Sequence, residues 1–235
     1  MMPWLDVGAL TVLLVVLPVL AVAQIRMLGD TEIERMPAYV SSVGTLVLLA
    51  IAAWLVGNRE GATGLGLDRL PVASLFGWSV ALTLGGLGIL LAFKRITAKL
   101  RMREHPVLRA LLPRSPREKV VFAGLSLAAG VGEELAYRGY AIGALAPLIG
   151  APVAAVVTSA VFGVLHAYQG PLGIVRAGVL GGLMAWGFLV SGSLWPVIIA
   201  HASLDVVAGI FLADRLMVPG DSGGVSAKEP ARDGI

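Results

Sequence analysis

Several ionisable side chains stand in stretches of this sequence that are otherwise apolar. Glu133, Glu134 and Arg138 lie within 131–140, His166 within 161–167, and His201 and Asp205 within 199–205. At bilayer depth such a group costs about 3 kcal/mol or more, so each is a functional suspect. On a helix, Glu134 and Arg138 are four apart, share a face and can pair, which neutralises two charges that would be very costly alone. Glu133 points about 100° away and lacks that partner, so it is the carboxylate free to accept a proton. His201 and Asp205 are again four apart, so Asp205 can orient His201 or join it at one ligand. Phe162, four before His166, can pack against that ring and steer it.

An unpaired carboxylate beside imidazoles is suited to proton transfer near neutrality. No Ser, Lys or Cys constellation offers a covalent route, and the chain contains no Cys, which also removes thiolate metal sites.

Those groups need apolar rods to hold them. Of 235 residues, 57% are hydrophobic and 14% charged, against roughly 25% charged in a soluble domain. That excludes a water-soluble globule and a disordered chain, and nothing reads as a nucleic-acid binder. The expected fold is all-α, a polytopic transmembrane helix bundle. Seven apolar runs, near 7–23, 39–56, 72–93, 120–147, 151–167, 172–190 and 194–212, approach the ~20 residues a spanning helix needs. An eighth span requires splitting the fourth run or recruiting 94–112. The residues before the first run include no Lys or Arg, unlike a signal peptide, so that run reads as a retained helix.

Three parts follow: 1–115, three spans with a basic loop at 94–119; 116–213, a helix bundle carrying the candidate site; and 214–235, a disordered polar tail. Lys94, Arg95, Lys99, Arg101, Arg103, Arg109, Arg114, Arg117 and Lys119 face only Glu104 and Glu118 in the loop, which places it and the tail in the cytoplasm. Ile96, Leu100, Val107, Leu108, Leu111 and Leu112 among those cations suggest either an amphipathic helix on anionic lipid or a solvated retention signal. Ser115-Pro116-Arg117-Glu118 reads as a helix start. Small residues recur every four at Gly124, Ala128, Gly132 and Ala136, and at Gly173, Ala177, Gly181 and Ala185, as close helix packing in lipid requires.

One difficulty concerns depth. Val120 to Glu133 is about 20 Å of helix rise, whereas His166 falls near the cytoplasmic end of the fifth run. The fourth helix must tilt or start below the membrane for the two to meet.

The set EExxxR (Glu133, Glu134, Arg138), FxxxH (Phe162, His166) and HxxxD (His201, Asp205), in that order on apolar segments, resembles the CPBP intramembrane proteases. That family includes the type II CAAX prenyl endopeptidases and bacteriocin-processing or immunity relatives. The resemblance covers roughly 118–212; the first three runs match only in being hydrophobic, and Asp205 stands where an Asn is also accepted. It implies an intramembrane endopeptidase in which Glu133 is general base and His166 shares the water. His201 and Asp205 then stabilise the oxyanion or help bind a metal, Arg138 holds the Glu pair, and Glu134 and Phe162 support. The resemblance leaves two routes open: zinc held by His166, His201 and a carboxylate from Glu133 or Asp205, or metal-free activation of water by Glu133 and His166. An ionised Asp205 cannot donate to an oxyanion, so it is protonated, orients His201 or binds metal. The expected partners are membrane lipid and a membrane-associated or lipid-anchored peptide, in a bacterial cell membrane, with the oligomeric state open. A non-catalytic scaffold or immunity factor on the same fold is the first rival, and a proton-coupled transporter the second. The absence of native Cys makes orientation testable: Arg101→Cys should label with an impermeant thiol reagent only from the cytoplasmic side, and labelling from outside would invert the topology.

Overall fold

The computed structural model describes residues 4–28, 33–60, 62–102 and 104–216, and among them every regular element is helical. Helix α1 (Trp4–Thr11) continues through a π-helical turn, Val12–Val16, into α2 (Leu17–Leu28). Then come α3 (Arg35–Gly57), α4 (Val72–Lys99), the short α5 (Pro106–Ala110) and α6 (Pro116–Glu133). A π-helical stretch, Glu134–Ile142, joins α6 to α7 (Gly143–Ile149). The remaining helices are α8 (Ala151–Leu165), α9 (Gly170–Ser191), α10 (Trp195–Val206) and α11 (Ala213–Leu216).

Five rods, Trp4–Gln24, Arg35–Gly57, Val72–Lys99, Pro116–Ile149 and Ala167–Ser191, are long and apolar enough to cross a bilayer. Ala151–Leu165 and Trp195–Phe211 are shorter apolar helices. Together they occupy the seven apolar runs of the sequence. The segment 94–112 adds no rod: its first residues complete α4 and the rest hold only five residues of α5. The outward faces carry Leu48, Val72, Phe76 and Val156, all strongly exposed, while Glu134 and Arg138 are buried. Apolar outside and ionic inside is the arrangement that lipid selects.

The start of α6 forms as its sequence requires. The Ser115 hydroxyl accepts from the Glu118 N–H at 3.2 Å, and Glu118 Oε2 accepts from the N–H groups of Ser115 at 3.0 Å and Arg114 at 2.7 Å. Pro116 takes the first helical position, where its missing N–H costs nothing. Glu118 Oε1 also meets Arg35 Nη1 at 3.2 Å, which pins the base of α6 to that of α3.

Backbone approach over small side chains holds the rods together, and the four-residue stripe expected on α6 is used only in part. Gly124 faces open space, and the close contacts fall at Gly132, within that stripe, and at Gly130, outside it. A Cβ at Gly132 would stand 2.6 Å from the Leu46 carbonyl oxygen of α3, and one at Gly130 would stand 2.9 Å from that of Ile198 in α10. On α9 the expected stripe is buried throughout.

Two further expectations change. The basic connection is not an amphipathic helix lying on lipid: Val107 and Ala110 are buried in the bundle, with Leu108, Leu111 and Leu112 partly so. Arg35 Nε donates to the Ala110 carbonyl at 2.8 Å and the Tyr39 hydroxyl to that of Leu111 at 2.6 Å, drawing the segment inward. Helix also persists to Leu216, past the tail boundary at 214; positions 217–235 lie outside the described residues.

Overpacking at a close helix crossing costs roughly 1–3 kcal/mol. Gly132→Ala should therefore lower the thermal unfolding temperature in detergent, whereas Gly124→Ala, with open space around it, should leave it unchanged or raise it. Equal effects would contradict this packing.

Candidate active site

Helix α6 ends at Glu133, and the π-helical stretch that follows is buried along its whole length. Glu134 is fully buried, and its Oε1 accepts from Arg138 Nη1 at 3.0 Å and from His201 Nδ1 at 2.6 Å. Arg138 Nη2 donates to the Gly181 carbonyl at 2.9 Å, and its guanidinium stacks 4.5 Å above the Phe162 ring. A Cβ at position 181 would itself stand 2.9 Å from Arg138 Nη2, so the glycine admits the cation. One carboxylate thus joins the π-helical stretch, α9 and α10.

Glu133 has a different surrounding. Its side chain is 19% exposed, and its nearest ionic neighbour is His201, whose Nε2 lies 3.7 Å from Glu133 Oε2. The same Nε2 lies 3.7 Å from Asp205 Oδ2, and Asp205 is the more open of the two at 40%. Such separations are long for a direct hydrogen bond. The expected orienter of His201, Asp205, thus stands on the Nε2 side, while Glu134 fixes the ring through Nδ1.

His166 sits just past the last turn of α8. Its Nδ1 lies 2.9 Å from the Phe162 carbonyl oxygen. A carbonyl only accepts, so Nδ1 carries the proton, and in the neutral ring Nε2 keeps its lone pair. The Phe162 and His166 rings pack at 4.7 Å between centroids, and Tyr137 meets Phe162 edge-on at 5.8 Å. Phe162 therefore touches both His166 and Arg138.

The depth difficulty resolves through helix length. Helix α8 has only 15 residues, about 22 Å of rise against a hydrocarbon thickness of about 30 Å. It stops short and delivers His166 inside the bundle, while α6 begins well before its apolar part. Glu133, Glu134, Arg138, Phe162, His166, His201 and Asp205 all line one cavity of about 720 Å³.

Among the described residues no group of three His, Asp or Glu side chains is placed to hold a metal ion. Each imidazole is bonded to a protein oxygen through Nδ1, which leaves both Nε2 atoms toward the cavity.

The same cavity is lined by Tyr168, whose ring lies 6.0 Å from that of His166, and by Arg176, Gln169 and Glu104. Arg176 and Glu104 escaped the sequence reading. Arg176 lies in the sixth apolar run, where the cost of burying a charge already marks it. Glu104 had no such signal, since its loop reads as solvated.

Residues 116–207 match a family model described as "Rce1-like: Type II CAAX prenyl endopeptidase Rce1-like". No curated protein and no solved structure matches the chain.

Removing one partner of a buried ion pair costs roughly 3–5 kcal/mol. Arg138→Ala should therefore unfold at a markedly lower temperature in detergent, and Glu133→Gln, which breaks no such pair, should not. Comparable losses would show that Glu134 does not depend on Arg138.

Proposed function

We propose that this chain, whose residues 116–207 belong to the CPBP family of type II CAAX prenyl endopeptidase-like proteases, is an intramembrane endopeptidase that hydrolyses a membrane-associated or lipid-anchored peptide. One observation carries the reading: adjacent carboxylates are committed differently. Glu134 is bonded to Arg138 and His201, while Glu133 remains open to a cavity that His166, His201 and Asp205 share.

In this reading Glu133 takes a proton from a water molecule, and the bare Nε2 of His166 holds the same water by accepting a hydrogen bond from its other O–H. The resulting hydroxide adds to the carbonyl carbon of the scissile bond. His201, donating Nδ1–H to Glu134 and protonated on both nitrogens beside the acids Glu133, Glu134 and Asp205, offers Nε2–H to the developing oxyanion. Glu133 then returns its proton to the leaving amine, so no proton is gained or lost over the cycle. Arg138 holds Glu134 without touching substrate. Asp205, more exposed than Glu133 or His201, faces the same Nε2 and orders the water or the peptide there. The basic connection between α4 and α6 lies on the cytoplasmic side.

The test begins with membranes from cells making the wild type or Glu133→Gln, because precursors that accumulate with the variant name the substrate. Purified wild type should cleave them, and Glu133→Gln should be slower by about 10²–10⁴-fold, the range for loss of a general base. Cleavage should persist in chelator-treated protein shown to be metal-free. Activity that disappears on chelation and returns with zinc would replace carboxylate activation by a metal route. Full activity in Glu133→Gln would end the hydrolase reading.

A further inference from the structure

The segment 104–112 forms one wall of the cavity through Glu104, Val107, Leu108, Leu111 and Leu112, and α5 within it packs against Ala167–Gln169, the turn beside His166. Its two ends are held very differently. At the far end, Arg35 donates to the Ala110 carbonyl, Tyr39 to the Leu111 carbonyl, and the Ser115–Glu118 capping box follows directly. All of these converge on α3 and the base of α6.

Among the described residues, the near end is held by one charged contact. Glu104 Oε1 meets Arg176 Nη1 at 2.8 Å, with side-chain exposures of 5% and 13%, and Arg176 Nη2 donates to Gln169 Oε1 at 3.1 Å. Around that contact the accounts do not balance. Glu104 Oε2 and His105 Nδ1 are both buried without a hydrogen-bond partner, and each such group loses its hydration without replacement. Arg101, just before, adopts a left-handed backbone with φ 53°, a conformation unfavourable for a residue with a Cβ. Opening this end would hydrate both orphaned atoms and let Arg101 relax. Opening the other would break three hydrogen-bonded ties.

We propose that residues 104–112 are a lid on the cavity, hinged at 110–118 and latched by the Glu104–Arg176 ion pair. In the closed state the lid shuts off the cavity from the basic-loop side; release of the latch admits a polar chain from that side to the turn carrying His166. The proposal stands whether or not the cavity hydrolyses peptides.

The Cys-free sequence permits a test that needs no substrate. Ser126 lines the cavity from α6, is 1% exposed, and differs from Cys by a single atom. Ser126→Cys serves as the reporter for a small, charged methanethiosulfonate that enters only through water. Thr158→Cys, equally buried on α8 but outside the cavity lining, reports on global loosening. With the latch intact both positions should label slowly. Arg176→Gln leaves Glu104 buried and unpaired, so it should speed labelling at 126 by about tenfold or more and leave 158 unchanged. Glu104→Gln, a milder change, should move in the same direction. Unchanged labelling at 126 in both variants would overturn the lid. So would fast labelling at 126 before any latch substitution, or a parallel rise at 158 in both variants, which would make the pair a fold stabiliser.

Discussion

The buried carboxylate of Glu134 is the constraint on which this architecture turns. A charge without solvent is tolerable only when other groups replace the water, and here Arg138 and His201 both reach the same oxygen. Arg138 has in turn to be placed, by the Gly181 carbonyl and the Phe162 face. Satisfying one acid therefore fixes the mutual position of the π-helical stretch, α8, α9 and α10. The compensation is incomplete, since Glu134 Oε2 and Arg138 Nε remain buried without partners. Such a knot contributes geometry more than stability, and the geometry is what the neighbouring acid uses.

Glu133 and Glu134 are chemically alike and separated by one peptide bond, yet their surroundings divide the work between them. The divide falls where α-helix gives way to a π-helical stretch, a geometry that recurs at functional sites. The imidazoles divide in a similar way. Each is fixed through Nδ1, His201 by a carboxylate and His166 by a backbone carbonyl, so both leave Nε2 for the cavity. A carboxylate, a lone pair and a ring nitrogen held by a second carboxylate differ in proton affinity, as acid–base work requires.

Much of this was legible in the sequence because lipid makes polar residues conspicuous. The four-residue spacings of Glu134 with Arg138 and of His201 with Asp205 translate directly into shared helix faces, and Ser115 to Glu118 contain the whole instruction for starting α6. What stayed hidden depends on which helices meet. Nothing local connects Glu134 to His201, 67 residues away, and spacing alone favoured Asp205 as the ring's orienter. Helix α8 read as long enough to carry His166 to the membrane surface, but its early end removed the conflict in depth. The basic connection misled because its charges suggest water while Val107 and Ala110 are spent inside. Its one acid facing the cavity, Glu104, becomes meaningful only beside Arg176.

The most direct test lies in the ring nitrogens themselves. The chain has three histidines, so ¹⁵N NMR of histidine-labelled protein in bilayers gives a spectrum simple enough to assign by single substitution. The expected spectrum shows a proton on both nitrogens of His201, the Nδ1 proton shifted far downfield by its short bond to Glu134, and on His166 a proton on Nδ1 with a bare Nε2. A bare Nδ1 on His166 would contradict it, because the lone pair would then face the Phe162 carbonyl and not the water, and so would a bare Nε2 on His201, which would leave the oxyanion without its donor.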